Sequence, residues 1–528
     1  MRINNLQDPS IVTTAIPGTD GIRYIAPTAS GVASNGKTVL TLDQAVQNLN
    51  RTGAIWDVGP NGQITYSFLD KAPTGLYNSP KEAYLGGTVE GFMPFTAAQR
   101  DAAKAALVLW DDLIAPRFVE KNGAGAADIL FMNTNTGPGQ ASAFTPFLNG
   151  GSGKYNKIQG DIFVNQDEGS NFDLANGGYG QTTLVHELGH TIGLSHTGDY
   201  NASDDTNGDG VPDPITYGND AEFFQDTYQF SIMSYFSHAY SGAFGYVNWA
   251  TGGYFQTPQT PMVHDIAAVQ AMYGADLTTR TGDTVYGFNS TADRSVYDFS
   301  QNKNPFLSIY DAGGNDTLDL SGFTGGRITL DLRPGAFSSG YSYGDKVALD
   351  KALGISLTQA QWNALYDGLL TGNPGFLSDN IGIAYNTIIE NGRTGAGNDA
   401  LLGNDVANRL DAGAGNDVLN GGKGNDTLIG GAGSDRFVIA DTGGIDKILD
   451  FETGKDKLDL RTFDPSAAAN DQAMSWIGDK AFSGVAGEVR SYTDHGNHYI
   501  AGDVNGDGIA DFTVDSGMFT IGVSDILL

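Results

Sequence analysis

A nine-residue period runs through residues 395–439, and no other feature so restricts the fold of this 528-residue chain. The frames are GAGNDALLG from Gly395, NDVANRLDA from Asn404, GAGNDVLNG from Gly413, GKGNDTLIG from Gly422 and GAGSDRFVI from Gly431. One frame position carries Asp399, Asn408, Asp417, Asp426 and Asp435, and another carries Leu401, Leu410, Leu419, Leu428 and Phe437. A flexible linker does not keep apolar residues in phase, so each frame reads as turn, short strand, turn. One such unit cannot bury its apolar side chain alone, and neighbouring units have to stack.

The chain carries 61 Asp plus Glu against 29 Lys plus Arg, a formal charge of -32. That balance disfavours nucleic acid and anionic lipid and favours cations. Calcium takes carboxylate and carbonyl oxygens, which acidic residues and 73 glycines supply in excess. With no cysteine, disulfides, thiolate metal sites and cysteine-based latency are excluded. No run of about 18 apolar residues reads as a membrane span, and MRINNLQDPSIVTTAIPG lacks the pattern of a cleaved leader.

The expected organisation is multidomain. Residues 1–36, rich in Thr, Ser, Gly and Pro, read as an extended leader or a propeptide. Residues 37–275 read as an α/β domain: helical spacing in LTLDQAVQNLN and at 95–114, strands at 64–70, 127–133, 141–147 and 160–166, then helices in GQTTLVHELGHTIG and HDIAAVQAMYG. Residues 276–393 read as a β-rich connection, with strand-like SVYDFS and ITLDLR and a helix inserted at 356–372. The repeats occupy 394–440, and 441–528 read as a further β region of sandwich-like character.

Three of the seven histidines fall within HELGHTIGLSH. His186 and His190, four apart on a helix, present their imidazoles on one face where both reach one tetrahedral zinc. Gly193 suits the chain reversal that ends the helix and returns His196 as a third ligand. Three protein ligands leave a position for water, whose pKa zinc lowers from about 15.7 to about 7. Glu187 is placed to take that water's proton, and peptide hydrolysis is the chemistry that fits.

HELGHTIGLSH followed by SIMSYF at 231–236 resembles the metzincin metallopeptidases, and the serralysins in particular. The likeness extends through LTLDQAVQNLNRTGAIW, FTAAQRDAAKAALVLWDD and DIAAVQAMYGADLTTRTGDTVYGFNS, from about residue 40 to the end. It implies that Met233 is the Met-turn residue beneath the metal. Tyr235 would ligate zinc at rest and swing away to stabilise the oxyanion. ASAFTPF would be the edge strand to which substrate adds as an antiparallel strand, which implies broad specificity for protein substrates. Thr197 departs from the family, which places proline after the third histidine, and this puts the following loop in question.

The repeats resemble the repeats-in-toxin family, whose frames coil into a parallel β-roll with two frames per turn. By that resemblance structural calcium ions lie between successive turns, held by Gly395, Gly397, Asp399, Gly413, Gly415, Asp417, Gly422, Gly424, Asp426, Gly431, Gly433 and Asp435, with a weaker site at Asn408. Further calcium positions, or plain polar turns, are Asp205, Asn207, Asp209 and Asp213; Asp503, Asn505, Asp507 and Asp511; and Asp311 with Asp316. Serralysins leave Gram-negative cells through type I secretion machinery that reads an uncleaved C-terminal signal, and SDILL looks like one. The implied protein is a secreted extracellular monomer that folds after export. A noncatalytic repeat protein with an inactive peptidase fold is the rival reading, and His238, His264, His495 and His498 read as surface or locally hydrogen-bonded residues.

Overall fold

The computed structural model describes residues 24–71, 91–121, 127–135, 138–147, 158–200, 213–247, 254–324, 326–341, 377–463 and 474–528, with 356, 358 and 361. Helices α1 (Leu42–Leu49) and α2 (Ala97–Asp111) open on capping boxes, in which Thr41 and Thr96 accept the amides of Gln44 and Gln99 and the glutamines return to the cap amides. Strands β1 (Gln63–Phe68), β2 (Arg117–Glu120), β3 (Ile129–Thr134), β4 (Ala141–Ala143) and β5 (Asp161–Asn165) form one sheet in the order β2-β1-β3-β5-β4. All pairs are parallel except the last, where β4 runs antiparallel to β5 at the sheet edge. Every residue of β3 is buried, as a strand covered on both faces requires.

Helix α3 (Tyr179–Thr191) carries the histidine motif and packs on α2, where the buried Trp110 indole donates to the Val185 carbonyl at 3.0 Å. Helix α4 (Val263–Tyr273) packs on α1. The expected leader is tied down from Tyr24 onward. Ala29, Ala33 and Val39 pack with Phe224, and the Tyr24 hydroxyl donates to the Pro334 carbonyl at 3.2 Å. Residues 1–23 lie outside the described set, as does nearly all of the expected helix at 356–372.

The repeat frames alternate between two facing sheets. Asn391–Arg393, Arg409–Asp411 and Thr427–Ile429 pair in parallel in one; Ala400–Leu402, Val418–Asn420 and Arg436–Val438 pair in the other. Leu401 lies over Leu419 and Leu419 over Phe437, 18 residues apart, so two frames make one turn. These side chains are fully buried between the sheets. Backbone contact is so close that a Cβ on Gly415 would lie 1.4 Å from the Gly397 carbonyl oxygen; only glycine fits there.

Beyond residue 441 the same two sheets continue. Ile445–Ile448 and Phe512–Asp515 extend the first, and Lys457–Asp459 and Ile526–Leu527 extend the second. SVYDFS departs from the strand expectation and contains a short 3-10 turn at Ser295–Tyr297. The Asp298 carboxylate accepts the Ser300 amide at 3.0 Å and closes a local turn, so that pairing is reduced to a single bridge between Asp298 and Gly287, while Val296, Tyr297 and Phe299 are still buried in the core. That core runs unbroken from Leu49 and Trp110 through Tyr310 to Leu410 and Leu458. At the junction Asp112 pairs with Arg280 at 2.8 Å and Arg294 at 2.9 Å.

Candidate metal centre

Four-residue spacing on α3 brings the His186 and His190 rings to 4.9 Å between centroids. The helix closes with the Gly193 and Leu194 amides donating to the His190 and Gly189 carbonyls at 2.9 and 3.0 Å. Gly193 has φ +107°, and a Cβ there would lie 2.0 Å from the Ala54 carbonyl oxygen, so only glycine turns the chain this tightly. The reversal returns His196, whose ring lies 4.6 Å from that of His190. One ligand atom from each of the three histidines lies within 4.8 Å of the others.

Each imidazole is oriented by a backbone carbonyl. His186 Nδ1 lies 2.8 Å from the Ile232 oxygen, His190 Nδ1 2.7 Å from that of Leu194, and His196 Nδ1 3.2 Å from that of Tyr200. A carbonyl only accepts, so each Nδ1 carries the proton and each Nε2 lone pair points inward. His190 and His196 thereby set two lone pairs 3.0 Å apart, an arrangement that a cation relieves. Burial lowers the His186 pKa to about 4 and that of His190 to about 3, so the ligands are neutral. Three neutral imidazoles of this kind fit zinc.

Glu187 is buried; its Oε2 has no hydrogen-bond partner among the described residues, and desolvation raises its pKa to about 8. Met233 is fully buried, and a Cβ on Gly189 would come within 2.6 Å of its sulfur. The Tyr235 hydroxyl lies 3.0 Å from His196 Nε2. The structure therefore brings together His186, Glu187, His190, His196, Met233 and Tyr235.

Several supports escape sequence reasoning. Buried Asp265 accepts the Ile232 amide at 2.7 Å, the Met262 amide at 2.8 Å and the Ser231 hydroxyl at 2.5 Å; Ile232 in turn supplies the carbonyl behind His186. The Arg51 guanidinium holds the His196 and Gly198 carbonyls. Carbonyl anchors have no side-chain signature. Asp265, at the third position of a helix capped by Met262, has no sequence signature that points to the metal centre. Of the remaining histidines, His495 is exposed and pairs with Asp494, and His498 lies near Thr493. His238 and His264 are not on the surface; they are buried against Phe306 and against Phe230 and Tyr385.

In the roll, Oδ1 of Asp417 accepts the Asp399 amide at 2.7 Å, Oδ1 of Asp435 the Asp417 amide at 2.9 Å, and Oδ1 of Asp426 the Asn408 amide at 2.8 Å. The second oxygen of Asp399, Asp417, Asp426 and Asp435 is buried with no hydrogen-bond partner among the described residues. Such stacked acceptors beside glycine carbonyls fit calcium. The ladder continues through Asp446 and Asp456, which the sequence reading missed because spacings of 20 and 21 residues break the period.

Asn408, expected as a weaker calcium site, is bonded differently from the aspartates. Its Oδ1 accepts the Asn404 amide at 2.7 Å, which fixes the carboxamide orientation, and its Nδ2 donates to the Glu390 carbonyl at 3.0 Å and Asn404 Oδ1 at 3.1 Å. Where each aspartate carries a second oxygen, Asn408 carries an amide nitrogen, so one side-chain oxygen is left for a cation instead of two.

The other acidic loops divide. At the junction, Asp316 Oδ2 has no hydrogen-bond partner among the described residues, and its pKa is raised to about 7 by burial and by Asp311 and Glu390. Asp311 accepts the Gly313 amide and the Tyr286 hydroxyl. In the loop 503–511, Asp503 accepts the Gly506 and Gly508 amides, Asp507 that of Ile509, and Asp511 those of Val504 and Asn505, while Asn505 accepts from Asp507. Its oxygens serve the turn's own amides. Asp205, Asn207 and Asp209 lie outside the described residues, and Asp213 lies at the edge of that gap.

Neutral ligands oriented from behind, next to a buried carboxyl, make the centre of a metallopeptidase, and comparison with known proteins agrees. Residues 95–250 match the model of the metallo-peptidase family M12B, reprolysin-like, and residues 275–357 and 353–527 match that of the peptidase M10 serralysin C terminal. The chain is 35% identical to metallopeptidase AprA of Pseudomonas marginalis over 99% of this chain and 100% of that protein. It is 37% identical to metalloprotease AprA of Pseudomonas entomophila, covering 92% and 90%, and 34% identical to serralysin G of Dickeya chrysanthemi, covering 83% and 84%. The chain belongs to the serralysin family of metalloendopeptidases.

Proposed function

We propose that the chain is a secreted, calcium-stabilised zinc endopeptidase of broad specificity, with Glu187 as general base. The observation that carries this reading is the convergence of three carbonyl-oriented imidazoles beside a buried carboxyl oxygen without a partner. His186, His190 and His196 would hold the zinc, with Tyr235 as a further ligand at rest; when bound, the metal would supply acidification of water and polarisation of the scissile carbonyl. Glu187 takes the proton of the attacking water and delivers it to the leaving amine. Tyr235 donates to the oxyanion once it has turned away from His196. Met233 packs beneath the three rings and fixes their floor.

Substrate adds to β4 as an antiparallel strand; main-chain pairing reads little side-chain identity, hence the broad specificity. Calcium between the roll turns neutralises the orphaned oxygens of Asp399, Asp417, Asp426 and Asp435, and a further ion serves Asp311 and Asp316. Export by type I secretion machinery precedes folding. The terminal Ile526–Leu527 pairs with the strand Lys457–Asp459, and Asp525 accepts from Lys457 at 3.1 Å, so the folded roll covers the proposed signal. Among the described residues, no helix is long and apolar enough to cross a membrane. The protein acts as a monomer, with residues 1–36 as a leader or propeptide.

Casein hydrolysis by the calcium-loaded protein, compared with Glu187→Ala, tests the reading. Hydrolysis by the wild type and none by the variant is expected; a silent wild type, or indifference to the substitution, overturns it.

A further inference from the structure

We infer that Asp226 is a positioning residue that sets the third zinc ligand and Tyr235 relative to each other, and that Thr197 is this chain's own link in that clamp. The inference rests on the zinc-peptidase reading above. Asp226 is fully buried. Its Oδ1 accepts from three hydroxyls: that of Thr197, that of Tyr200 at 2.9 Å and that of Ser234 at 2.8 Å. Thr197 directly follows the ligand His196, and Ser234 directly precedes Tyr235. One carboxylate oxygen thus ties the neighbours of both groups.

Tyr200 closes the arrangement. Its carbonyl accepts from His196 Nδ1, its ring stacks on the His196 ring at 5.9 Å and 12°, and its hydroxyl accepts the Tyr235 amide at 3.4 Å. The same hydroxyl lies 2.8 Å from Thr197 Oγ1. The loop 196–200 and the segment 234–235 come from distant parts of the chain, and the 3.0 Å approach of the Tyr235 hydroxyl to His196 Nε2 depends on their register. Asp226 spans that seam. A proline at 197 would have no hydroxyl for it; in this chain the bond to Thr197 holds the loop.

A mere fold pin would alter stability alone, whereas a positioning residue alters turnover in the folded protein. The experiment is steady-state hydrolysis of a peptide substrate by the zinc- and calcium-loaded protein, together with the visible spectrum of the copper(II)-substituted form, where a Tyr235 phenolate gives a charge-transfer band that Tyr235→Phe removes. A displacement of about 1 Å costs ~10²-fold in rate, so Asp226→Ala is expected to lower kcat by about 10- to 100-fold with KM little changed. Thr197→Val, which loses one hydrogen bond, is expected to lower kcat about two- to tenfold. Both weaken or shift the band.

Asp226→Asn keeps an acceptor oxygen and Thr197→Ser keeps the hydroxyl, so both are expected to restore most of the turnover. If Asp226→Ala does not fold, Thr197→Val decides; if the wild type shows no band, the split between kcat and KM decides. A folded Thr197→Val with wild-type kcat and spectrum overturns the inference while the peptidase reading stands. A wild type without peptidase activity removes the reading beneath it.

Discussion

In the peptidase half each ligand histidine is turned by a backbone carbonyl and is neutral, whereas in the roll each repeated aspartate gives one oxygen to an amide and buries the other with no partner among the described residues. Both arrangements fit a divalent cation, but they differ in what the chain tolerates alone. A neutral imidazole costs little to bury. A carboxylate stacked near another resists ionisation, and burial with its neighbours raises Asp417 to about 8, Asp446 to about 7, and Asp426 and Asp435 to about 6. The metal centre is thus organised by its surroundings, whereas the proposed calcium-stabilised roll would need a cation or protons to fold.

The largest effect expected from breaking this contrast is on chemistry without fold. Glu187→Ala should cost about 10²–10⁴-fold in kcat, with the thermal transition of the calcium-loaded protein retained. Removing metals separately should divide the halves: chelating zinc abolishes hydrolysis and leaves the secondary structure, read by circular dichroism, in place. Chelating calcium at pH 8 melts the roll.

The calcium-free roll should also respond to pH in the direction opposite to ordinary acid denaturation. Aspartates whose folded pKa lies above the unfolded value of about 3.9 favour folding below that value and lose the contribution as pH rises through the folded pKa, here about 6 to 8. Without calcium the roll should be more resistant to urea at pH 5 than at pH 8, and saturating calcium should reverse the order. Equal midpoints at both pH values would remove the proposed link between these carboxylates and folding.

A smaller effect falls on the turn behind His196. Gly193→Ala meets the Ala54 carbonyl in a left-handed conformation and should cost about 1–3 kcal/mol, read as a lower thermal midpoint together with weaker zinc retention. The smallest change sharpens the roll itself. Asn408→Asp replaces an amide donor by an oxygen and should raise the bound calcium by one ion per chain, measured by metal analysis after dialysis, with turnover unchanged.

Read alone, the sequence supplied the nine-residue phase and the spacing that converges His186, His190 and His196, because these are local regularities of turn, strand and helix; the 18-residue stacking of the roll came from the likeness of the repeats to a known family. It also marked Glu187, Met233 and Tyr235 through their resemblance to known motifs. It misread SVYDFS, where a short 3-10 turn stands at Ser295–Tyr297 and alternation does not reveal it, and it did not show how the Asn408 carboxamide is bonded. It gave no sign that Asp265 supports Ile232, that Arg51 holds the third-ligand loop, that residues from Tyr24 onward are stitched into the core, or that Asp226 gathers three hydroxyls. Those partners lie far apart along the chain and act through backbone carbonyls and buried oxygens, so only the tertiary structure decides where they meet.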